Sequence, residues 1–140
     1  VILYPAPACA LRDELFKHIA IITPNKKEAE MLSGVSITGL ESVKAAAAVI
    51  RAKGVDTVII TLGVDGAFIS NNNIEQLMPA PKANAVDTTA AGDVFNGALA
   101  VALSEGQTLA NAVVFGCKAA AISITRLGAQ SAAPYRNELE

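Results

Sequence analysis

The chain has 140 residues, 52% hydrophobic and 17% charged, which is enough apolar side chain for one sizeable core and too apolar a balance for a disordered chain. A formal net charge of −2 argues against nucleic acid or an anionic membrane as a partner. The alanine-rich apolar runs are interrupted by charge, so no spanning helix and no signal peptide are expected.

Residues 1–4 read as a buried strand stopped by Pro5 and Pro7. A chain that opens on Val1 inside a strand reads as a piece of a longer protein, with a sheet edge left unpaired. A short helical pattern over residues 11–18 precedes a second buried strand, 19–22. Asn25 is then a good helix N-cap, Glu28 takes the capping-box position three residues on, and Gly34 suits the helix end. The alanine-rich residues 41–53 form a helix ended by Gly54. Residues 57–62 are a continuous β-branched run, which predicts a strand covered on both faces. A glycine turn at 63–66 leads into a hairpin, with strands 67–70 and 74–78 around a turn at 71–73. Beyond Pro79 and Pro81, Phe95, Leu99 and Leu103 recur every four residues in a helix over 92–105, which Gly106 ends. A nearly apolar helix over 109–125 is expected to be central. Residues 126–129 read as a loop, and Pro134 starts the tail. Strand–helix alternation followed by a hairpin and two helices predicts an α/β layer on a mostly parallel sheet.

Cys9, Cys117 and His18 show no metal-ligand spacing. The thiols are expected to be free and buried, as in a cytoplasmic protein, and His18 to be structural or exposed.

The chemistry concentrates in Asp87-Thr88-Thr89-Ala90-Ala91-Gly92-Asp93, at the junction between an extended segment and a long helix. Small residues there let a ligand approach the backbone. The first N–H groups of a helix lack intrahelical partners and carry the positive end of its dipole, which makes an anion site suited to phosphate. An acid beside a bound phosphate is repulsive. Asp93 is therefore explained if it acts as general base on a hydroxyl that attacks a phosphoryl group. The alternative is ordinary capping, with Asp87 or a threonine as N-cap and Asp93 complementing the dipole. Asn25 and Glu28 carry the same two readings. Segments 23–28, 61–66 and 87–93 each follow an extended stretch, and in an open α/β sheet such segments converge beyond the carboxyl ends of the strands. A non-catalytic nucleotide- or sugar-phosphate-binding module remains a second possibility. A dinucleotide-binding oxidoreductase is excluded by the absence of G-x-G-x-x-G, and no Walker A motif is present.

Together with Pro5-Ala6-Pro7-Ala8, Thr23-Pro24-Asn25 with Glu28, Thr61-Leu62-Gly63 with Gly66, Phe95-Asn96-Gly97 and Thr125-Arg126 with Gly128-Ala129-Gln130, the motif resembles the carboxy-terminal part of the ribokinase/fructokinase (PfkB-type) sugar kinases. The resemblance implies a ribokinase-like three-layer α/β/α fold, of which residues 1–140 are the C-terminal portion. It implies ATP-dependent phosphorylation of the terminal hydroxyl of a pentose such as ribose or deoxyribose. The catalytic set would be Ala90, Ala91, Gly92 and Asp93, with Asp93 as base and the N–H groups of residues 91–93 as anion hole. Asn25 and Glu28 would place Mg2+ and the ATP phosphates, largely through water. Thr61, Gly63 and Gly66 would contact nucleotide, and residues 114–117, including Cys117, would line the adenine pocket. Asp87, Thr89, Ser123, Arg126 and Gly128 would hold a monovalent cation, normally K+. The resemblance also implies that the glycine-rich sugar-binding segment and a lid that makes a homodimer interface belong to an N-terminal half outside this sequence, so residues 1–140 alone would be inactive. Tyr4, Cys117 and Ala132 depart from the family's usual residues; Ala132 brings no side-chain oxygen to the cation.

Overall fold

The computed structural model describes residues 1–140, which form two compact units: residues 1–62 with 67–77, and residues 63–66 with 78–140. No helix is long and apolar enough to cross a membrane.

Strands β1 (Ile2–Leu3), β2 (Ile21–Ile22), β3 (Thr57–Thr61), β4 (Ala67–Ser70) and β5 (Glu75–Met78), all in the first unit except Met78, follow one another across a five-stranded sheet in sequence order. The register pairs Ile2 with Ile21 and Ile21 with Thr57 in parallel, while β4 runs antiparallel to β3 with Ile59 opposite Ile69. The sheet is therefore mixed: parallel between β1, β2 and β3, where helices intervene, and antiparallel between β3 and β4. At the next turn, between β4 and β5, Asn71 Oδ1 accepts the N–H groups of Asn73 and Ile74. β3 is central, and Val58, Ile59 and Ile60 have no exposed surface, as their unbroken β-branched run predicts. Helices α1 (Asp13–Phe16), α2 (Lys26–Ser33) and α3 (Leu40–Ala52) supply Phe16, Ala29, Ala46, Ala47 and Ile50 to the same core.

Three expectations need correction. Residues 1–4 are not a buried strand. β1 is two residues long and lies at the sheet edge, with Ile2 39% exposed, because only β2 pairs with it. The helix expected over 11–18 shrinks to Asp13–Phe16, which has no side-chain cap and buries only Phe16. Cys9 is exposed and not buried, since it lies in an irregular segment after two prolines; Cys117 is buried.

In the second unit, helices α4 (Ala91–Ser104) and α5 (Leu109–Ser123) pack against each other. Phe95, Leu99 and Ala102 form the buried stripe of α4, with Leu103 only partly covered. α5 buries residues on most of its circumference, including Ala112, Val113, Gly116 and Cys117, as its apolar composition predicts. The helices approach closely at Gly116, where an added Cβ would come within 2.9 Å of the Phe95 ring. The chain ends in 3₁₀ turns at Gln130–Ala132 and Arg136–Glu138.

Candidate active site

The site residues of the first unit gather at the carboxyl ends of β2 and β3. The Thr61 N–H donates to the Pro24 carbonyl at 2.9 Å, and Asn25 pairs with Thr61 in a parallel bridge. The strand register thus brings Asn25, Glu28 and Thr61 together. Asn25 and Glu28 form the capping box of α2: Asn25 N–H donates to Glu28 Oε2 at 2.8 Å and Glu28 N–H to Asn25 Oδ1 at 2.9 Å. The capping reading is therefore met, and the box also holds a 97% buried carboxylate in one orientation. No group of three or more His, Cys, Asp or Glu side chains could hold a metal directly. A lone fixed carboxylate fits an ion such as Mg2+ that keeps most of its waters, and it fits no all-protein cage.

In the second unit, the N-cap part of the capping reading of residues 87–93 fails, while Asp93 does stand in the first turn of α4, where an acid complements the dipole. The N-cap of α4 is Ala90, in the left-handed region at φ 60°, with no side-chain cap. An alanine in that conformation stores roughly 1 kcal/mol, the kind of strain that concentrates at functional sites. Asp87 caps no helix. One of its oxygens accepts the Thr89 N–H at 2.9 Å and the other the Gly128 N–H at 3.0 Å. These bonds, from the Thr89 side chain first and then from the Thr89 and Gly128 amides, hold its carboxyl below the usual carboxylate range. The N–H groups of Val86 and Asp87 both donate to the Ile124 carbonyl, at 2.7 and 3.1 Å. Segment 86–89 is thus stitched to the segment that follows α5.

In the first turn of α4, which no side chain caps, the N–H groups of Gly92 and Asp93 have no acceptor in the chain. The anion hole expected from residues 91–93 is narrower than that, because the Ala91 N–H already donates to Thr88 at 3.3 Å. Asp93 is exposed in the first turn of α4 and forms no ion pair, so its carboxylate is open to a substrate. It lines a cavity of about 570 Å³ whose other walls include Val101, Phe115, Pro134 and Leu139. Those apolar walls suit neither phosphate nor sugar. The group there with the chemistry to take an anion is the free amide pair of Gly92 and Asp93.

The carbonyls of Thr89, Arg126 and Gly128 accept no hydrogen bond within the chain, whereas that of Ser123 accepts the Arg126 N–H at 3.1 Å. Neutral oxygens plus the ionised Asp87 are a donor set that fits a weakly charged cation such as K+. Ala132 is buried and adds no oxygen. Gly66 has a structural role of its own, because it is buried at φ 98° against the backbone of residues 78–80. Cys117 is 5% exposed, and burial pushes its thiol up to about 11. A thiol reagent added to the native chain is therefore expected to modify Cys9 alone, and Cys117 only after denaturation. Rapid native labelling of Cys117, read by mass spectrometry, would contradict this.

The sequence profile described as "pfkB family carbohydrate kinase" matches residues 1–136. The chain belongs to that family. Among the relatives of this pfkB-family chain, the ribokinase of Haemophilus influenzae is 49% identical over 138 residues, covering 99% of this chain and 45% of the relative. The crystal structure of a ribokinase from Thermotoga maritima superposes with a TM-score of 0.91 at 49% identity, over 99% of this chain and 46% of that one. The structure of Arabidopsis thaliana ribokinase complexed with ribose and ATP gives a TM-score of 0.93 at 30% identity, over 99% and 45%. The fold is thus the ribokinase-like α/β fold, and the chain spans about half the length of the curated relatives it matches.

Sequence reasoning missed Glu138. The Arg126 guanidinium donates to both oxygens of its carboxylate, and Glu138 Oε2 also accepts the Tyr135 N–H at 2.7 Å. No motif marks it; the only signal is an acid and a base of opposite charge on either side of a proline-containing tail.

Proposed function

We propose that this chain is the C-terminal portion of an ATP-dependent sugar kinase, carrying the nucleotide side of the site and the catalytic base, and that the sugar is ribose. The observation that supports this reading is the unpaired Asp93 carboxylate next to the two unpaired amides of residues 92 and 93, in a chain of a carbohydrate kinase family. Asp93 takes the proton from the terminal hydroxyl as that oxygen attacks the γ-phosphoryl group in line, and the bond from the γ-phosphorus to the bridging oxygen breaks to release ADP. The Gly92 and Asp93 amides, at the positive end of α4, stabilise charge on the transferring group. Asn25 and Glu28 would hold Mg2+ through water; bound there, the ion neutralises charge on the nucleotide phosphates. Asp87 and the free carbonyls of Thr89, Arg126 and Gly128 would hold K+ and so keep the segment before α4 in place. Ribose is preferred over deoxyribose because ribokinases match this chain at 49% and 45% identity, against 34% for the deoxyribokinase of Salmonella typhimurium.

The test is a panel of pentoses and hexoses offered with ATP to the full-length enzyme, with and without potassium. Ribose is expected to give the highest kcat/KM, and potassium to raise turnover. ATP binding without turnover on any sugar would favour a regulatory nucleotide-binding module instead. Residues 1–140 alone are expected to show negligible turnover; robust ribose phosphorylation by them would refute the assignment as a portion of the site.

A further inference from the structure

Glu138 lies on the terminal 3₁₀ turn, outside every stretch that the proposed reaction uses. Its pair with Arg126 is bidentate and partly shielded, the two side chains being 31% and 35% exposed. Pairs of that geometry are stronger than freely exposed ones. Arg126 opens the loop that ends at Gly128, whose N–H is held by Asp87. Apolar packing does not anchor this loop, since Leu127 is 76% exposed. The tail's other polar ties go elsewhere: Lys118 Nζ donates to the Leu139 carbonyl at 2.7 Å, and Arg136 pairs with Glu105 at 2.9 Å. A continuous polar route therefore runs from Glu138 through Arg126 and the loop to Asp87, and from Asp87 to Thr89 and the left-handed Ala90 that starts α4.

We infer that Glu138 is a positioning residue for phosphoryl transfer: by clamping Arg126 it fixes the 126–128 loop against Asp87, and through Asp87 it fixes the amide pair beside Asp93. The inference rests on the kinase reading above, and its test separates the two. In the full-length enzyme, Glu138→Gln and Arg126→Met are each expected to lower kcat about tenfold with little change in KM, the scale expected when a catalytic group shifts by a fraction of an ångström. The double variant should lose no more than either single one, as for two residues acting as one unit. Lys118→Met, which loosens the tail without touching the loop, should lower Tm and leave kcat unchanged. Hydrogen exchange at the Thr89 and Gly128 amides should speed up about tenfold in Glu138→Gln, because their hydrogen bonds open more often. That readout does not depend on turnover. If the unaltered enzyme phosphorylates no sugar, the kinase reading fails while exchange still decides on the clamp. Unchanged exchange at both amides, or a lower Tm with unchanged kcat in Glu138→Gln, would overturn the inference. Glu138→Gln keeps the size of the side chain and the acceptor for Tyr135, so it carries the test if Arg126→Met does not fold.

Discussion

Asp93→Asn in the full-length enzyme is expected to lower kcat for sugar phosphorylation by about 10²-fold or more, the usual loss on removing a positioned general base. Asparagine keeps the side-chain volume and the backbone N–H of residue 93, so the anion-binding amides of α4 survive. What disappears is the proton acceptor. The one stabilising role this exposed carboxylate has, with no ion pair, is to complement the dipole in the first turn of α4, which contributes only about 0.3–1 kcal/mol. Neither Tm nor KM for ATP should therefore move much, and the loss should fall on kcat. Steady-state kinetics with a parallel thermal melt separates the two effects. Near-normal kcat would remove Asp93 from the mechanism.

The second large effect concerns stability. Gly66→Ala is expected to destabilise the protein by about 3 kcal/mol or more, combining the cost of a non-glycine residue at positive φ with overpacking. An added Cβ at Gly66 would stand 2.0 Å from the Met78 carbonyl oxygen and 2.7 Å from the Ala80 nitrogen. Both are backbone atoms, so no side chain can swing aside. Gly63→Ala is the control: φ is 61° there, but a Cβ meets nothing within 4 Å, so only the conformational cost of about 1 kcal/mol applies. Thermal unfolding of both variants should show a drop of roughly 10 °C for Gly66→Ala and a few degrees for Gly63→Ala. Equal melting temperatures would mean that the backbone around residues 78–80 yields more easily than its packing indicates.

What the sequence made legible follows from how local each cause is. The buried strand Thr57–Thr61 announces itself in five successive β-branched residues. The α2 cap needs only Asn25 and Glu28, three residues apart, and it forms as expected. The features that escaped depend on distant residues. Ala90 adopts the left-handed region in a segment tied down by Ile124 and Gly128, more than thirty residues further on. A composition-based reading favours a buried Cys9, yet Cys9 is exposed because it lies in the irregular segment between the prolines and α1. The acid at 138 matters because the tail folds back on Arg126, and no period or motif encodes that return. The site was legible for the same reason as α2: its acid, small residues and helix start are contiguous, and only the fate of each N–H required coordinates.

The most direct measurement is a crystal structure of the full-length enzyme with ribose and a non-hydrolysable ATP analogue. The account predicts an Asp93 carboxylate oxygen about 2.6–3.2 Å from the terminal sugar hydroxyl. It also predicts γ-phosphate oxygens about 2.7–3.1 Å from the Gly92 and Asp93 amides. An Asp93 carboxylate turned away from the sugar, or a γ-phosphate seated on other donors, would contradict it.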